Sequence, residues 1–285
     1  MRDRVKCPRM PKFHSCNGKI TERSSCAISP FDRSFMLGDG LFETLLVRGG
    51  VPVWLSEHYG RMKESAAFFG IAFPFAIDDV AEWAARLIEA EGVQYGFLRI
   101  ALSRGTSQTG RFGDLPDDAL MAIIAGAAPP RVEMPRLAAA IAPWPVNERD
   151  PTARHKTASR IGAVLAKARA REMGVDELVF CNTQGAVAEG ILSNIFWTKN
   201  QELHTPSAEC GLLPGIARAK VLAAARKLGV KTNIGAYGID APRDAEEIFF
   251  TNALMVIARC AAFDGVAKEA NCVTAALEKL IFSEL

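Results

Sequence analysis

The chain reads as a mixed α/β protein made of two α+β domains, and three observations predict this. Its length of 285 residues points to two domains at about 150 residues each. Short apolar runs of strand type alternate with segments of helical period along most of it. A polar stretch carrying Pro129, Pro130 and Pro135 separates the two halves. The expected division is a mobile basic extension over 1–15, a small α/β domain over 16–129, a linker over 130–136 and a larger domain over 137–285.

Each element has a local cause. Residues 41–47 form an apolar strand, and Gly49-Gly50 then supplies a tight turn into 51–54. Ser56 has the chemistry of an N-cap, and His58, Met62, Ala66 and Phe69 follow on one helical face until Gly70 stops it. A second helix is expected over 78–92, with strands over 97–103 and 119–125. Beyond the linker, 137–142 is strand-like, and Pro143, Pro145 and Pro151 oppose any helix before Lys156. Ile161, Val164, Leu165 and Ala168 mark an amphipathic helix ending near Gly174. Three short runs, 178–181, 186–189 and 194–197, read as antiparallel strands. Pro214-Gly215 opens a helix with Val221, Leu222, Ala225 and Leu228, closed by Gly229. A strand over 248–251 and a last helix with Val273, Leu277, Leu280 and Ile281 complete the pattern.

Composition narrows the class. With 49% hydrophobic residues the chain is not disordered, and no apolar run reaches the roughly 18–20 residues of a membrane helix. The basic balance is local. Arg2, Arg4, Lys6, Arg9 and Lys12 against Asp3 give the first twelve residues +4, so the +2 of the whole chain becomes −2 without them. This argues against nucleic-acid and membrane partners. The same segment lacks the apolar stretch of a secretory signal. The seven cysteines are scattered without a CxxC pair, which suits reduced thiols in the cytoplasm and indicates neither a disulfide framework nor a zinc site.

No GxGxxG, Walker, GxSxG or HExxH motif occurs, so the chemistry must lie elsewhere. Lys156 ends a proline-interrupted loop just before an apolar helix, where desolvation would free its amine for Schiff-base formation. The segment Gly211-Leu212-Leu213-Pro214-Gly215-Ile216-Ala217-Arg218 puts glycines at a helix N-terminus, a natural phosphate seat. Glu189 ends a strand beside Gly190, where a carboxylate can meet a protonated ring nitrogen. Each feature alone has an ordinary structural explanation.

Their order and spacing carry more. Asp32-Arg33, Gly38-Asp39-Gly40-Leu41-Phe42-Glu43-Thr44, His58-Tyr59-Gly60-Arg61, Lys156, Glu189-Gly190 with Ser193-Asn194, Gly215-Ile216-Ala217-Arg218 and Thr251-Asn252-Ala253-Leu254 occur in succession. Together they resemble the class IV, fold-type IV, pyridoxal-phosphate enzymes. These include branched-chain and D-amino-acid aminotransferases and 4-amino-4-deoxychorismate lyases. The resemblance implies a two-domain fold like that of D-amino-acid aminotransferase, with the larger domain binding pyridoxal 5′-phosphate, and a homodimer acting on a small molecule.

Carried over residue by residue, Lys156 resembles the catalytic lysine that forms the Schiff base and moves the proton. Glu189 resembles the carboxylate on the pyridine nitrogen, and Arg61 the phosphate-binding arginine. Ile216 and Ala217 would add backbone donors to the phosphate, and Ser193, Asn194 and Asn252 would lie beside the cofactor. Branched-chain aminotransferases place a tyrosine five positions after the lysine, where this chain has Ile161, and Arg160 is similar to an arginine of some aminodeoxychorismate lyases. The resemblance therefore favours the lyase, which makes 4-aminobenzoate and pyruvate on the way to folate, over a class IV aminotransferase. A lyase must hold two substrate carboxylates. Arg104 and Arg111, flanking a flexible glycine-rich loop, together with Arg160 and Thr44, are the expected substrate-binding residues. A non-catalytic binding protein is the third reading, which Lys156 and Glu189 together oppose.

Overall fold

The computed structural model describes residues 10–25, 28–130, 134–268 and 272–285. They fall into two compact units. One holds the described residues of Met1–Arg131 together with Lys156–Ser159, the other those of Val132–His155 and Arg160–Leu285.

In the first unit the order is β1 (Phe13–Cys16), β2 (Lys19–Glu22), α1 (Arg33–Leu37), β3 (Gly40–Arg48), β4 (Val51–Pro52), α2 (Leu55–Phe69), α3 (Ile77–Glu91), β5 (Tyr95–Ser103) and β6 (Leu120–Ala127). The strands make one sheet in the order β2-β1-β6-β5-β3-β4. β3 and β5 pair antiparallel from Gly40↔Ser103 to Arg48↔Tyr95. Strand alternation gives the sheet two faces. Leu41, Leu45 and Val47 of β3 and Leu98, Ile100 and Leu102 of β5 join Met62 and Ala66 of α2 and Val80, Ala84 and Leu87 of α3 in one core. Phe42, Thr44 and Arg99 lie at the other parity.

Two expectations fail here. The extension over 1–15 falls partly on residues 1–9, outside the described residues, but Phe13–Cys16 is a strand pairing with β2 and β6. Ser56 is not the cap of α2. Trp54, with φ of 56°, occupies that place, and the Ser56 hydroxyl donates to Glu57 instead.

The second unit runs β7 (Arg136–Ile141), α4 (Ile161–Glu172), β8 (Glu177–Cys181), β9 (Val187–Gly190), β10 (Asn194–Lys199), β11 (Glu202–Pro206), α5 (Ile216–Lys227), β12 (Thr232–Gly235), α6 (Asp240–Arg243), β13 (Glu247–Thr251), β14 (Ala258–Phe263), β15 (Val266–Ala267) and α7 (Cys272–Ser283). Its sheet has the order β12-β11-β10-β13-β14-β7-β8-β9, with β15 on β14. Both faces are covered, which explains the near-continuous burial of β8, β10 and β13. Val179, Ile195, Trp197, Ile248 and Phe250 pack on one face, whereas Leu178 and Phe180 pack with Ala166 and Ala170 of α4 on the other.

α4 buries the opposite stripe from the one its large residues suggest. Ala166 and Ala170 face inward, while Ile161 is 78% exposed and Val164 and Leu165 are also exposed. Close helix–sheet approach favours the small residues on the inner side. The three strands read as antiparallel neighbours also divide: β8 pairs with β9, but β10 pairs with β11 and β13. A 3-10 turn at Pro151–Arg154, capped by Asp150 with Pro at its first position, precedes Lys156 where no helical turn is expected.

Candidate active site

Lys156 belongs to the first unit, not to the larger domain in which the sequence boundaries place it. Residues 156–159 run beside β3: the Phe42 N–H donates to the Lys156 carbonyl at 3.0 Å, and the Ala158 N–H to the Gly40 carbonyl at 2.8 Å. Leu41 and Thr157 form a bridge. Gly38, with φ of 69°, permits this approach, because a Cβ there would lie 3.0 Å from that of Ser159. The Lys156 Nζ then lies over the Phe42 ring, 4.6 Å from its centroid. The Arg99 guanidinium carbon lies 4.0 Å from the centroid of the same ring. Thr44 is half-buried, shares the parity of Phe42 and stands opposite Arg99 in the β3–β5 register.

Arg61 is tied to Glu43. Its Nε and Nη2 donate to the two carboxylate oxygens of Glu43 at 2.8 and 2.7 Å, and His58 Nδ1 lies 2.6 Å from Glu43 Oε2. Burial pushes the Glu43 carboxyl up, but hydrogen bonds from His58 and Arg61 outweigh it and hold the group below the ordinary carboxylate range. Burial pulls His58 down, and Glu43 opposes this only in part, so the imidazole stays neutral at pH 7. An ionised Glu43 requires the proton on Nδ1, which then donates; Nε2 is buried without a partner.

Arg104 is a brace and not a substrate clamp. It is 6% exposed, and Nε donates to Asp39 at 2.7 Å while Nη1 and Nη2 donate to the Gly70 and Phe69 carbonyls at 2.7 and 2.8 Å. These carbonyls end α2, so the guanidinium serves as its C-terminal cap. Asp39 also accepts from Arg33 Nε at 2.8 Å. Burial pushes Asp39 up, yet the bonds from Arg104 and Arg33 leave it below its usual value.

The glycine-rich loop is fastened rather than slack. Asp114 accepts from the Ser107 hydroxyl at 2.6 Å and the Thr109 N–H at 2.8 Å, and Arg33 Nη1 donates to the Arg111 and Asp114 carbonyls. Arg111 is exposed on this loop.

In the second unit Glu189, Asn194 and the loop before α5 meet. Glu189 Oε2 accepts from the Leu213 N–H at 3.0 Å and from Asn194 Nδ2 at 3.4 Å, and Asn194 Nδ2 also donates to the Leu213 carbonyl at 2.9 Å. Gly215, the N-cap of α5, comes so near that a Cβ would lie 2.1 Å from Asn194 Oδ1. Ile216 and Ala217 are the first buried residues of α5, whose start no side chain caps; its leading N–H groups therefore lack intrahelical acceptors.

Ser193 takes a different place from the one expected: its hydroxyl donates to buried Glu177 at 2.9 Å, so it fastens the turn and is not aimed at a cofactor. Asn252 shapes the connection from β13 to β14. Its Oδ1 accepts from the Leu254 and Met255 N–H groups at 3.0 and 2.7 Å, and its Nδ2 donates to the Leu192 carbonyl. Val256 closes that connection with φ of 59°, a strained conformation for a β-branched residue. Arg160 precedes α4, its Nε buried without a partner.

Arg99 and Glu177 have no place in the site as read from sequence, and Glu43 appears there only as part of a motif. Glu43 had a signal: it lies at core parity between Leu41 and Leu45, where a charge requires a buried partner. Arg99 alternates with Leu98 and Ile100, an ordinary outward pattern, and only its pairing with Thr44 marks it.

Architecture and side chains define a class: a two-unit mixed α/β enzyme with a lysine amine and an arginine against one aromatic ring, and a tethered carboxylate beside an uncapped helix start. The chain belongs to the amino-transferase class IV family, whose model matches residues 40–263. It is 28% identical to an aminodeoxychorismate lyase of Bacillus subtilis over 246 residues, covering 85% of this chain and 83% of that one. A candidate branched-chain-amino-acid aminotransferase of Methanocaldococcus jannaschii is 27% identical, over 87% of each chain. Among solved structures, a candidate 4-amino-4-deoxychorismate lyase of Legionella pneumophila superposes with a TM-score of 0.87 at 25% identity, over 92% of this chain and 97% of the other. Among the described residues no helix is long and apolar enough to cross a membrane, and no His, Cys, Asp and Glu cluster suits a metal ion.

Proposed function

We propose that the chain is a pyridoxal 5′-phosphate enzyme converting 4-amino-4-deoxychorismate to 4-aminobenzoate and pyruvate. One observation carries this reading. The Lys156 amine and the Arg99 guanidinium lie over the same Phe42 ring, so a nucleophile and a carboxylate-binding fork share one strand face. The substrate bears two carboxylates, and its atoms divide between the two products with no second reactant. The similarity to the Bacillus subtilis lyase supports the same choice.

The residues fit the cofactor. Glu189 is an anionic acceptor already oriented by two donors, and the start of α5 offers uncapped N–H groups. When bound, the cofactor supplies a ring that accepts the electron pair released at the substrate carbon. Glu189 keeps a proton at the ring nitrogen. The Ile216 and Ala217 N–H groups receive the phosphate, and Arg61, its orientation fixed by Glu43, is a cofactor-binding residue of the first unit. Asn194 holds Glu189 in place, and Asn252 supports the neighbouring turn at Leu192. Lys156 supplies the amine, takes the proton from the substrate carbon and returns one as the products separate. Arg99, with Arg111, Arg160 and Thr44, binds the substrate carboxylates.

The test has two parts. Protein incubated with the cofactor should turn yellow, and Lys156→Ala should abolish the band. With aminodeoxychorismate and no 2-oxo acid, pyruvate should then form. The second reading, an aminotransferase, draws on the Methanocaldococcus jannaschii relative. Amino transfer to 2-oxoglutarate without pyruvate release would establish it and refute the lyase.

A further inference from the structure

Glu177 is a buried acid with no part in the reaction just described. Its side chain is 2% exposed, and burying a carboxylate is costly unless donors converge on it. They do. Oε1 accepts from the Ile191 N–H at 2.9 Å and the Leu178 N–H at 3.2 Å, with Lys167 Nζ at 3.8 Å, and Oε2 accepts from the Ser193 hydroxyl at 2.9 Å. Two of these donors, Ile191 and Ser193, belong to the short turn between β9 and β10, which the Gly190 N–H closes on the Ser193 carbonyl at 2.7 Å. The turn presses onto the acid so closely that a Cβ on Gly190 would lie 2.3 Å from Ser193 Oγ and 3.1 Å from Glu177 Cδ.

Glu189 stands immediately before this turn and Asn194 immediately after it, and the two meet at Glu189 Oε2. The turn therefore sets where the Glu189 carboxylate lies relative to the Leu213 N–H. We propose that Glu177 is a positioning residue: by gripping the Ile191 N–H and the Ser193 hydroxyl it fixes the orientation of Glu189, and through Glu189 the protonation of the cofactor ring. The proposal rests on the reading that Glu189 serves the ring nitrogen.

The experiment compares wild type with Glu177→Ala, Glu177→Gln, Ser193→Ala and Glu189→Gln in three measurements: cofactor dissociation constant, pH midpoint of the visible band and thermal midpoint. Glu177→Ala should weaken cofactor binding by about tenfold or more and move the pH midpoint in the same direction as Glu189→Gln, as loss of an orienting partner typically does. Glu177→Gln keeps an acceptor for the Ile191 N–H and a partner for Ser193, and should return affinity to within about threefold of wild type. Ser193→Ala should lie between them, and it decides the matter if Glu177→Ala does not fold. A lower thermal midpoint with unchanged affinity and pH midpoint in Glu177→Ala, or in Ser193→Ala where the former is unfolded, overturns the proposal and leaves the role of Glu189 standing. A wild type that takes up no cofactor, or a band indifferent to Glu189→Gln, overturns the underlying reading as well.

Discussion

Replacing Arg104 by alanine separates a brace from a clamp. The substitution removes three charge-assisted hydrogen bonds, one to Asp39 and two to the carbonyls ending α2. Breaking a buried pair commonly costs about 3–5 kcal/mol. Asp39 keeps its bond to Arg33, and the freed space lets water reach the Phe69 and Gly70 carbonyls, so the lower end, about 3 kcal/mol, is expected. For a unit of this size that lowers the thermal midpoint by roughly 10 °C. Arg104→Lys keeps the charge but not the fork and should recover only part of the loss.

The sign of the pH dependence follows from Asp39. Its folded pKa is depressed, so its contribution is complete above the unfolded value near 4 and disappears as pH falls through the folded value. The gap between wild type and Arg104→Ala should therefore be widest near pH 7 and narrow below about pH 4. Differential scanning calorimetry from pH 3 to 8 measures it, and substrate KM measured below the variant's midpoint should stay within about twofold of wild type. A midpoint within about 2 °C of wild type, accompanied by a tenfold or greater rise in KM, would refute the brace and restore the clamp.

Two further outcomes follow from the same geometry. Gly215→Ala places a Cβ 2.1 Å from Asn194 Oδ1 and must push Asn194 off Leu213 and Glu189; a cofactor titration should show weaker binding by about tenfold, and unchanged affinity would contradict the close approach. His58 is held neutral by burial, its folded pKa lying below the unfolded value near 6.5, so the folded state loses stability as pH drops below about 6.5. His58→Gln removes that titration, and urea midpoints between pH 5 and 8 should fall less steeply for the variant; superimposable slopes would count against a buried neutral imidazole.

Much of the fold was legible because the signals were local. Gly70 and Gly92 end α2 and α3 in the left-handed conformation, and Gly49-Gly50 makes the β3–β4 turn. α4 was misread because its large apolar residues form a stripe that the structure leaves outside, while its alanines do the packing. β11, β12 and β14 were not identified: their sequences, Glu202–Pro206, Thr232–Gly235 and Ala258–Phe263, show little alternation, and pairing with distant strands makes them strands. At the site, Lys156, Glu189 and the loop before α5 stand out by residue type and place in the sequence, whereas Arg61 enters only through the family resemblance. What sequence did not reveal was which acceptors each guanidinium finds. Arg104 and Arg99 are equally charged, and it is the carbonyls of Phe69 and Gly70 that make Arg104 the C-terminal cap of α2.

The path of residues 156–159 affects how the protein is made. The strip bearing Lys156 completes a unit whose other residues all precede it by more than twenty positions, and Thr157 meets Leu41 across well over a hundred residues of chain. During synthesis the first unit cannot close until that strip has left the ribosome, and such non-local pairing is slow. Lys156 is then among the last parts of the first unit to be seated, so a truncated or stalled chain folds, if at all, without the amine proposed to react. A protein cut after residue 131 and coexpressed as two pieces should regain cofactor binding only when the second piece supplies the strip.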